Sequence, residues 1–370
     1  KSPDFPPPAP DAGWALHALA LEAAQIVPPD TSRLRQRAGV VTAEGAYCWE
    51  GALWRYGRPL TLPPEPAEAA QDLAGTWLWG GVLFDHFGHF LIESTARLWG
   101  TQEGQHGPIA GVCFIPKRPR RKGGLRGWQQ GFLDLFGIAA PARILTARTR
   151  VERLIVPGQG LGLGGLVGGS TAMRAAVHAR FAADVVPEGP ERLYISRSGL
   201  TDDVGIIIGE TQIEAELAAA GYEIFHPQDH DLRTQIARYK AARQIIFADG
   251  SAGHLLAYVA RADQQIACLP RRSFWWDGPV DQIAGFAGRA PLVADTIASE
   301  WQPPEGSEAP RGTSFVAHDL VRLGQLLRAE GFVPPGPDWA PLAPETRAAA
   351  LAPLTGWPET HPELIRDMAQ

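Results

Sequence analysis

Apolar and polar positions alternate along the chain in two distinct regimes. From residue 193 onward, short apolar runs bounded by turn residues alternate with amphipathic stretches. This predicts strands at 193–195, 222–225, 244–248 and 265–269, with helices at 210–220, 232–242 and 254–260 between them. A β-α-β-α-β-α-β order implies a parallel sheet with right-handed crossovers. The first half is less regular. It opens with a proline-rich arm over 1–10 and a segment at 14–27 that can form a short helix. Strands are predicted at 40–41, 46–49, 53–56, 76–83, 111–116, 143–145 and 153–157, with helices at 128–136 and 173–183. Val185-Val186-Pro187-Glu188-Gly189-Pro190 has the composition of a linker. The expected domains are 1–187, 188–295, and a tail, 296–370, with one helix at 316–330 that packs back on the first domain.

The stretch Gly80 to Trp99 carries the densest chemistry. It begins with two glycines and continues as an amphipathic pattern. His89, Glu93 and Arg97 stand at i, i+4 and i+8, which on a helix is a single stripe. Glu93 can fix the tautomer of His89 or raise its basicity. Arg97 can pair with Glu93 or with an anionic ligand. A solvated helix face with one ion pair is the simpler alternative. Asp85, His86 and His89 also have the residue types of metal ligands, but the sequence offers no fourth ligand.

At 370 residues the chain suits two domains, and 45% hydrophobic residues suffice for a sizeable core in each. A net charge of −6 gives no basic field for nucleic acid. The three cysteines, Cys48, Cys113 and Cys268, are scattered and suggest neither a disulfide framework nor a zinc site. No apolar run is long enough to span a bilayer. The expected location is the cytoplasm, with the inner face of the membrane as a further option. A basic run, Lys117, Arg118, Arg120, Arg121, Lys122 and Arg126, reads either as a solvated loop or as a contact for phosphate groups or an anionic membrane surface.

Ligands of open parallel sheets bind beyond the carboxyl ends of the strands. In the second half those ends carry Ser196 and Arg197 after one strand, and Gly250 and Ser251 after another. A hydroxyl, a fork-shaped cation and free N–H groups at a helix start all favour phosphate. His254 follows the second turn closely, as a ligand-bonding or a packed residue. Gly160, Gly162 and Gly165 satisfy G-x-G-x-x-G between a strand and a helix, which makes a nicotinamide or flavin site an alternative.

Gly88-His89-Phe90-Leu91-Ile92-Glu93 with Arg97-Leu98-Trp99 resembles the H-F-x-x-E…R-L motif of glycosyltransferase family 61, in its bacterial members. Arg192 to Arg197, Glu210, Gly221 to Ile224, and Ala241 to Ser251 follow in the same order. The resemblance covers about residues 80–270. It implies an α/β architecture of two Rossmann-like domains facing a cleft, the B-type glycosyltransferase arrangement. It also implies inverting transfer of a hexosyl or pentosyl unit from a nucleotide-sugar to a glycan, glycolipid or other hydroxyl acceptor, in polysaccharide synthesis, with no cofactor required. On this reading His89 and Glu93 are catalytic. Asp85, His86, Arg97, Ser196, Arg197, Glu210, Gly250, Ser251 and His254 contact substrate or donor. One departure stands out: the family usually has an arginine shortly before the position of Glu210, where this chain has Gly205-Ile206-Ile207-Ile208-Gly209. A catalytically silent relative that binds a sugar nucleotide or glycan is therefore a second reading, and an NAD-dependent enzyme a third.

Overall fold

The computed structural model describes residues 4–101, 106–119, 123–200, 205–273, 277–307 and 313–360. Arg120, Arg121 and Lys122 of the basic run lie outside the described residues. The chain folds as two compact units, Lys1–Asp184 and Val185–Gln370. Both are mixed α/β, with sheets that are largely parallel.

The first unit is built on a six-stranded sheet in the order Gly39–Val41, Ala18–Val27, Thr149–Pro157, Gln71–Leu83, Gly111–Pro116, Ala142–Ile144. The last four strands run parallel, so Pro157, Leu83, Pro116 and Ile144 all end at one edge. The core on one side gathers Ile26, Val40, Trp77, Trp79, Ile115, Leu154 and Val156. The helix expected at 14–27 is instead a single 3-10 turn, Gly13–Leu16, followed by the strand Ala18–Val27. Its alanine-rich composition favours helix, but pairing along Thr149–Pro157 from Ala18 to Ile26 overrides that preference.

The second unit holds a five-stranded, wholly parallel sheet ordered Glu223–Phe225, Arg192–Ile195, Gln244–Ala248, Gln265–Leu269, Leu292–Val293. The alternation read from the sequence forms this sheet and its helices. A separate four-stranded sheet joins Ile206–Ile207, Phe315–His318, Ile297–Trp301 and Glu359–Thr360. The single helix expected at 316–330 is a strand, Phe315–His318, and then a helix, Leu320–Ala329. Asp319 stands between them and caps the helix by accepting from Arg322 N–H at 3.0 Å. Leu320, Leu323, Leu327, Phe332 and Trp339 share one core with Tyr194, Ile246 and Leu269. The apolar face of the tail is thus spent on the second unit, against the expectation that it packs on the first domain.

Candidate active site

In the first unit the carboxyl edge of the parallel strands gathers the polar chemistry. At Gly80–Gly81 the strand Gln71–Leu83 shifts register, with Gly81 at φ 96°. A Cβ on Gly80 would stand 2.4 Å from the Phe114 ring, so only glycine lets the strand pass there. Beyond Leu83 the chain turns back sharply. Ser94 Oγ donates to Val82 O and accepts from Phe84 N–H, both at 2.9 Å, which ties the turn to the strand end.

The expected two-turn stripe does not form. One α-turn, Phe87–His89, runs into a π-turn, Phe90–Ser94, and the chain then bends before a 3-10 turn at Leu98–Thr101. π-turns place an extra residue per turn and recur at functional sites. Here one brings the Glu93 carboxylate under the His89 ring, with Nδ1 and Oε2 2.8 Å apart. Glu93 is fully buried, while the His89 side chain is 38% exposed. Arg55 forks onto the same carboxylate, Nε to Oε1 at 2.9 Å and Nη2 to Oε2 at 2.7 Å. Burial opposes ionisation of Glu93, but the bonds to His89 and Arg55 outweigh it and hold the carboxyl below its usual range. The two histidine rings lie 5.2 Å apart, and His86 Nδ1 accepts from His89 N–H at 3.4 Å. Burial, then the neighbouring His89, lowers the pKa of His86. Asp85 accepts from Arg126 Nε at 3.2 Å at the exposed rim.

Arg97 belongs elsewhere. It is 3% exposed and donates to the backbone carbonyls of Glu50 and Ala52, each at 2.7 Å, and of Pro157. Expected as a substrate contact or a partner of Glu93, it is an internal clamp, because the bend after Ser94 turns it away from His89.

Two further cations lie near His89 and Glu93. Arg55 is one. Lys117 is the other, the first residue after Pro116, with Nζ donating to Arg33 O and Leu34 O at 2.9 and 3.0 Å. Burial, then the nearby Arg55, lowers the pKa of Lys117 to about 8, with Glu93 acting against the shift. Lys117 had a signal in the sequence, as the first cation past a parallel strand. Arg55 had none, since nothing in Trp54-Arg55-Tyr56 announces a carboxylate 38 residues away.

In the second unit, too, a buried carboxylate supports the turn at the carboxyl edge of the parallel strands. After Ile195, the turn is organised from beneath by Glu210. Its Oε1 accepts from Tyr194 OH at 2.9 Å, Ser196 Oγ at 3.2 Å and Arg197 N–H at 2.8 Å. Ser196 Oγ also lies 2.5 Å from Glu214 Oε1, so its single proton is shared between the two carboxylates. Ser196 and Glu210 are 2% and 4% exposed. Expected to contact the donor, both instead hold up the turn, their polar atoms satisfied inside the protein. Burial raises the pKa of Glu210, against the pull of the Arg197 N–H and the Tyr194 hydroxyl.

Arg197 is different. Its guanidinium lies against Gly250, where a Cβ would stand 2.4 Å from Nη1, and its buried Nε has no hydrogen-bond partner among the described residues. Its charge faces Asp249, Glu210 and Arg272. Beyond Leu269, at the same sheet edge, come Arg271 and Arg272. Arg272 Nε bonds Asp249 Oδ2 at 3.0 Å, and Arg271 Nε bonds Asp249 O at 3.3 Å. Burial lowers the pKa of Arg271 to about 10, within a field that includes Asp249, Arg197, Arg272 and Glu300. Gly205 packs on Arg271, since a Cβ there would meet Nη1 at 2.7 Å. Both arginines follow a parallel strand directly and could have been read from that position. His254 Nδ1 pairs with Gln282 Oε1 at 2.6 Å.

The G-x-G-x-x-G stretch is not an open phosphate loop. Gly158, Gly160 and Gly162 are buried. Cβ atoms there would meet Trp14 O at 2.2 Å, Ser170 Oγ at 2.9 Å and Gln159 Nε2 at 2.4 Å. Close internal packing thus fills the space around Gly160 and Gly162, whereas Gly165, the last glycine of the pattern, is exposed with open space beside it, so the packing argues against a dinucleotide at the first two glycines only. Among the described residues no three histidine, cysteine or carboxylate groups converge as metal ligands, so Asp85, His86 and His89 do not form a donor set.

The chain is thus a parallel-rich α/β protein with a carboxylate-bound histidine at one sheet edge and clustered arginines at another. The family model of glycosyltransferase 61 matches residues 87–266, from the first residue of the α-turn that carries His89 to the strand before Arg271. The match spans just under half of the chain and supports glycosyltransferase family 61, a family that implies a sugar donor and an acceptor as partners. No curated protein matches the chain. Among the described residues no helix is long and apolar enough to cross a membrane.

Proposed function

We propose that the protein is an inverting glycosyltransferase that moves a hexosyl or pentosyl unit from a nucleotide-sugar to a hydroxyl acceptor in glycan or polysaccharide synthesis. The observation that carries this reading is the His89–Glu93–Arg55 chain. Glu93 has both oxygens bonded and no exposure, so it is poorly placed to take a substrate proton. It suits a role in orienting His89, with Nδ1–H donated to the carboxylate and Nε2 free to accept. In a single displacement, Nε2 takes the acceptor hydroxyl proton as that oxygen attacks the anomeric carbon. The bond from that carbon to the phosphate oxygen breaks, and its electron pair leaves with the diphosphate. Cations must stabilise that leaving group. In the second unit Arg197, whose buried Nε has no hydrogen-bond partner among the described residues, and Arg271 and Arg272 beside it support such a diphosphate-binding role together with the Gly250-Ser251 turn. The reading needs no cofactor beyond the donor itself.

The test is calorimetry with UDP, GDP, CMP and NAD, followed by donor hydrolysis. Binding of a nucleoside diphosphate without NAD binding is expected, and Arg197→Ala should weaken it about tenfold or more. Unchanged affinity in folded Arg197→Ala protein would contradict the donor assignment. Binding with neither hydrolysis nor transfer would favour the silent relative.

A further inference from the structure

The transfer chemistry leaves one prominent motif unassigned, the glycine-rich loop that follows Pro157. Its contacts converge on a single place. Gln159 is 1% exposed. Its Oε1 accepts from Trp54 N–H at 2.8 Å, and its Nε2 donates to Trp54 O at 2.8 Å and to Leu161 O at 3.1 Å. The side-chain amide thus satisfies both backbone groups of Trp54, as a neighbouring strand would. Two residues further on, Tyr56 N–H donates to Leu163 O at 3.0 Å. Arg55 lies between these two anchored residues, at the end of a short strand that pairs with Arg58–Pro59. The turn between the strands, Tyr56-Gly57, has both residues at positive φ, 49° and 70°. That is the backbone of a tight two-residue hairpin, and for tyrosine it needs outside support.

The glycines serve the same contact. A Cβ on Gly162 would stand 2.4 Å from Gln159 Nε2, and one on Gly164, at φ 92°, would stand 2.8 Å from Tyr56 Cα. Only a loop bare of side chains at these points can lie so close to the hairpin.

We infer that Gln159 is a positioning residue for the transfer reaction: the glycine-rich loop grips Trp54 and Tyr56 so that Arg55 forks onto Glu93, and Glu93 in turn holds His89. The inference rests on the reading of His89 as the base. A loosely held arginine would keep its charge near Glu93 but lose the two-point geometry of the fork. The carboxylate would then be free to rotate away from His89 Nδ1.

The experiment is a double-mutant cycle between Arg55→Ala and Glu93→Gln, read as melting temperature, in the wild-type and Gln159→Met backgrounds. The expected result is strong non-additivity in the wild-type background and near-additivity with Gln159→Met. Gly164→Ala attacks the clamp from the Tyr56 side and should give the same loss of coupling, which keeps the test decisive if Gln159→Met fails to fold. Kinetics form a second arm. Gln159→Met should lower kcat by about tenfold or more with donor KM unchanged. Undiminished coupling between Arg55 and Glu93 in both variant backgrounds would overturn the inference. Lost coupling in Gln159→Met with kcat unchanged would uphold the clamp and overturn the assignment of the base instead.

Discussion

Single side chains in this protein divide sharply into those that meet solvent and those that hold others in place. His89 and Arg197 belong to the first kind, Glu93, Arg97, Ser196 and Glu210 to the second. Glu93 has a depressed carboxyl pKa in the folded protein. It therefore contributes stability that is fully present above the unfolded glutamate value, about 4.3. That contribution is lost as pH falls through the lower folded value. Melting temperature followed from pH 7 downward should drop less steeply in Glu93→Gln than in the wild type, although the variant starts lower at pH 7. Equal slopes would mean that Arg55 and His89 do not stabilise the ionised form. Arg97→Met should destabilise strongly, by roughly 1–3 kcal/mol for each carbonyl left without a donor, as read by denaturant unfolding. The sequence placed His89, Glu93 and Arg97 on one stripe, and the first two do meet. Arg97 was misplaced because spacing arguments assume an unbroken α-helix, whereas a π-turn and a bend intervene.

At the scale of elements, regular alternation was the legible part. The strands Gln244–Ala248 and Gln265–Leu269 have the bounds the apolar runs gave them, because strands buried on both faces are continuous apolar stretches. The segment 14–27 was not legible, since its strand state depends on a partner more than 120 residues away. Residues 316–330 hid a strand within a helical pattern for a similar reason: Phe315–His318 pairs with Ile297–Trp301 and Ile206–Ile207. The glycine-rich loop was legible as a motif but not as a contact, because its role lies in what it touches. At Gly80 the backbone crossing is just as tight. Gly80→Ala should cost about 1–3 kcal/mol, since the new methyl must displace the buried Phe114 ring. A thermal melt unchanged from the wild type would show that the strand can shift to accept it.

For the whole molecule, two units each carry charged chemistry at the carboxyl ends of parallel strands. The first combines a buried carboxylate with a histidine; the second gathers Arg197, Arg271 and Arg272 about Asp249. The family usually places an arginine before Glu210, and here Gly205 stands in that region with Arg271 packed on it. Arg272→Ala should accordingly reduce nucleoside diphosphate affinity, in the same direction as Arg197→Ala, when titrated by calorimetry. An Arg272→Ala protein that binds as the wild type does would confine Arg272 to its pairing with Asp249.

The central claim is that His89 is the base of a sugar transfer. The measurement that tests it most directly is a transfer assay with intact-mass detection, run across a panel of nucleotide-sugars on the wild type and on His89→Ala with confirmed folding and nucleotide affinity. The account predicts a glycosylated product from the wild type and a rate lower by about 10²–10⁴ in His89→Ala, the usual cost of losing a base. A folded His89→Ala protein that transfers at the full rate would contradict it.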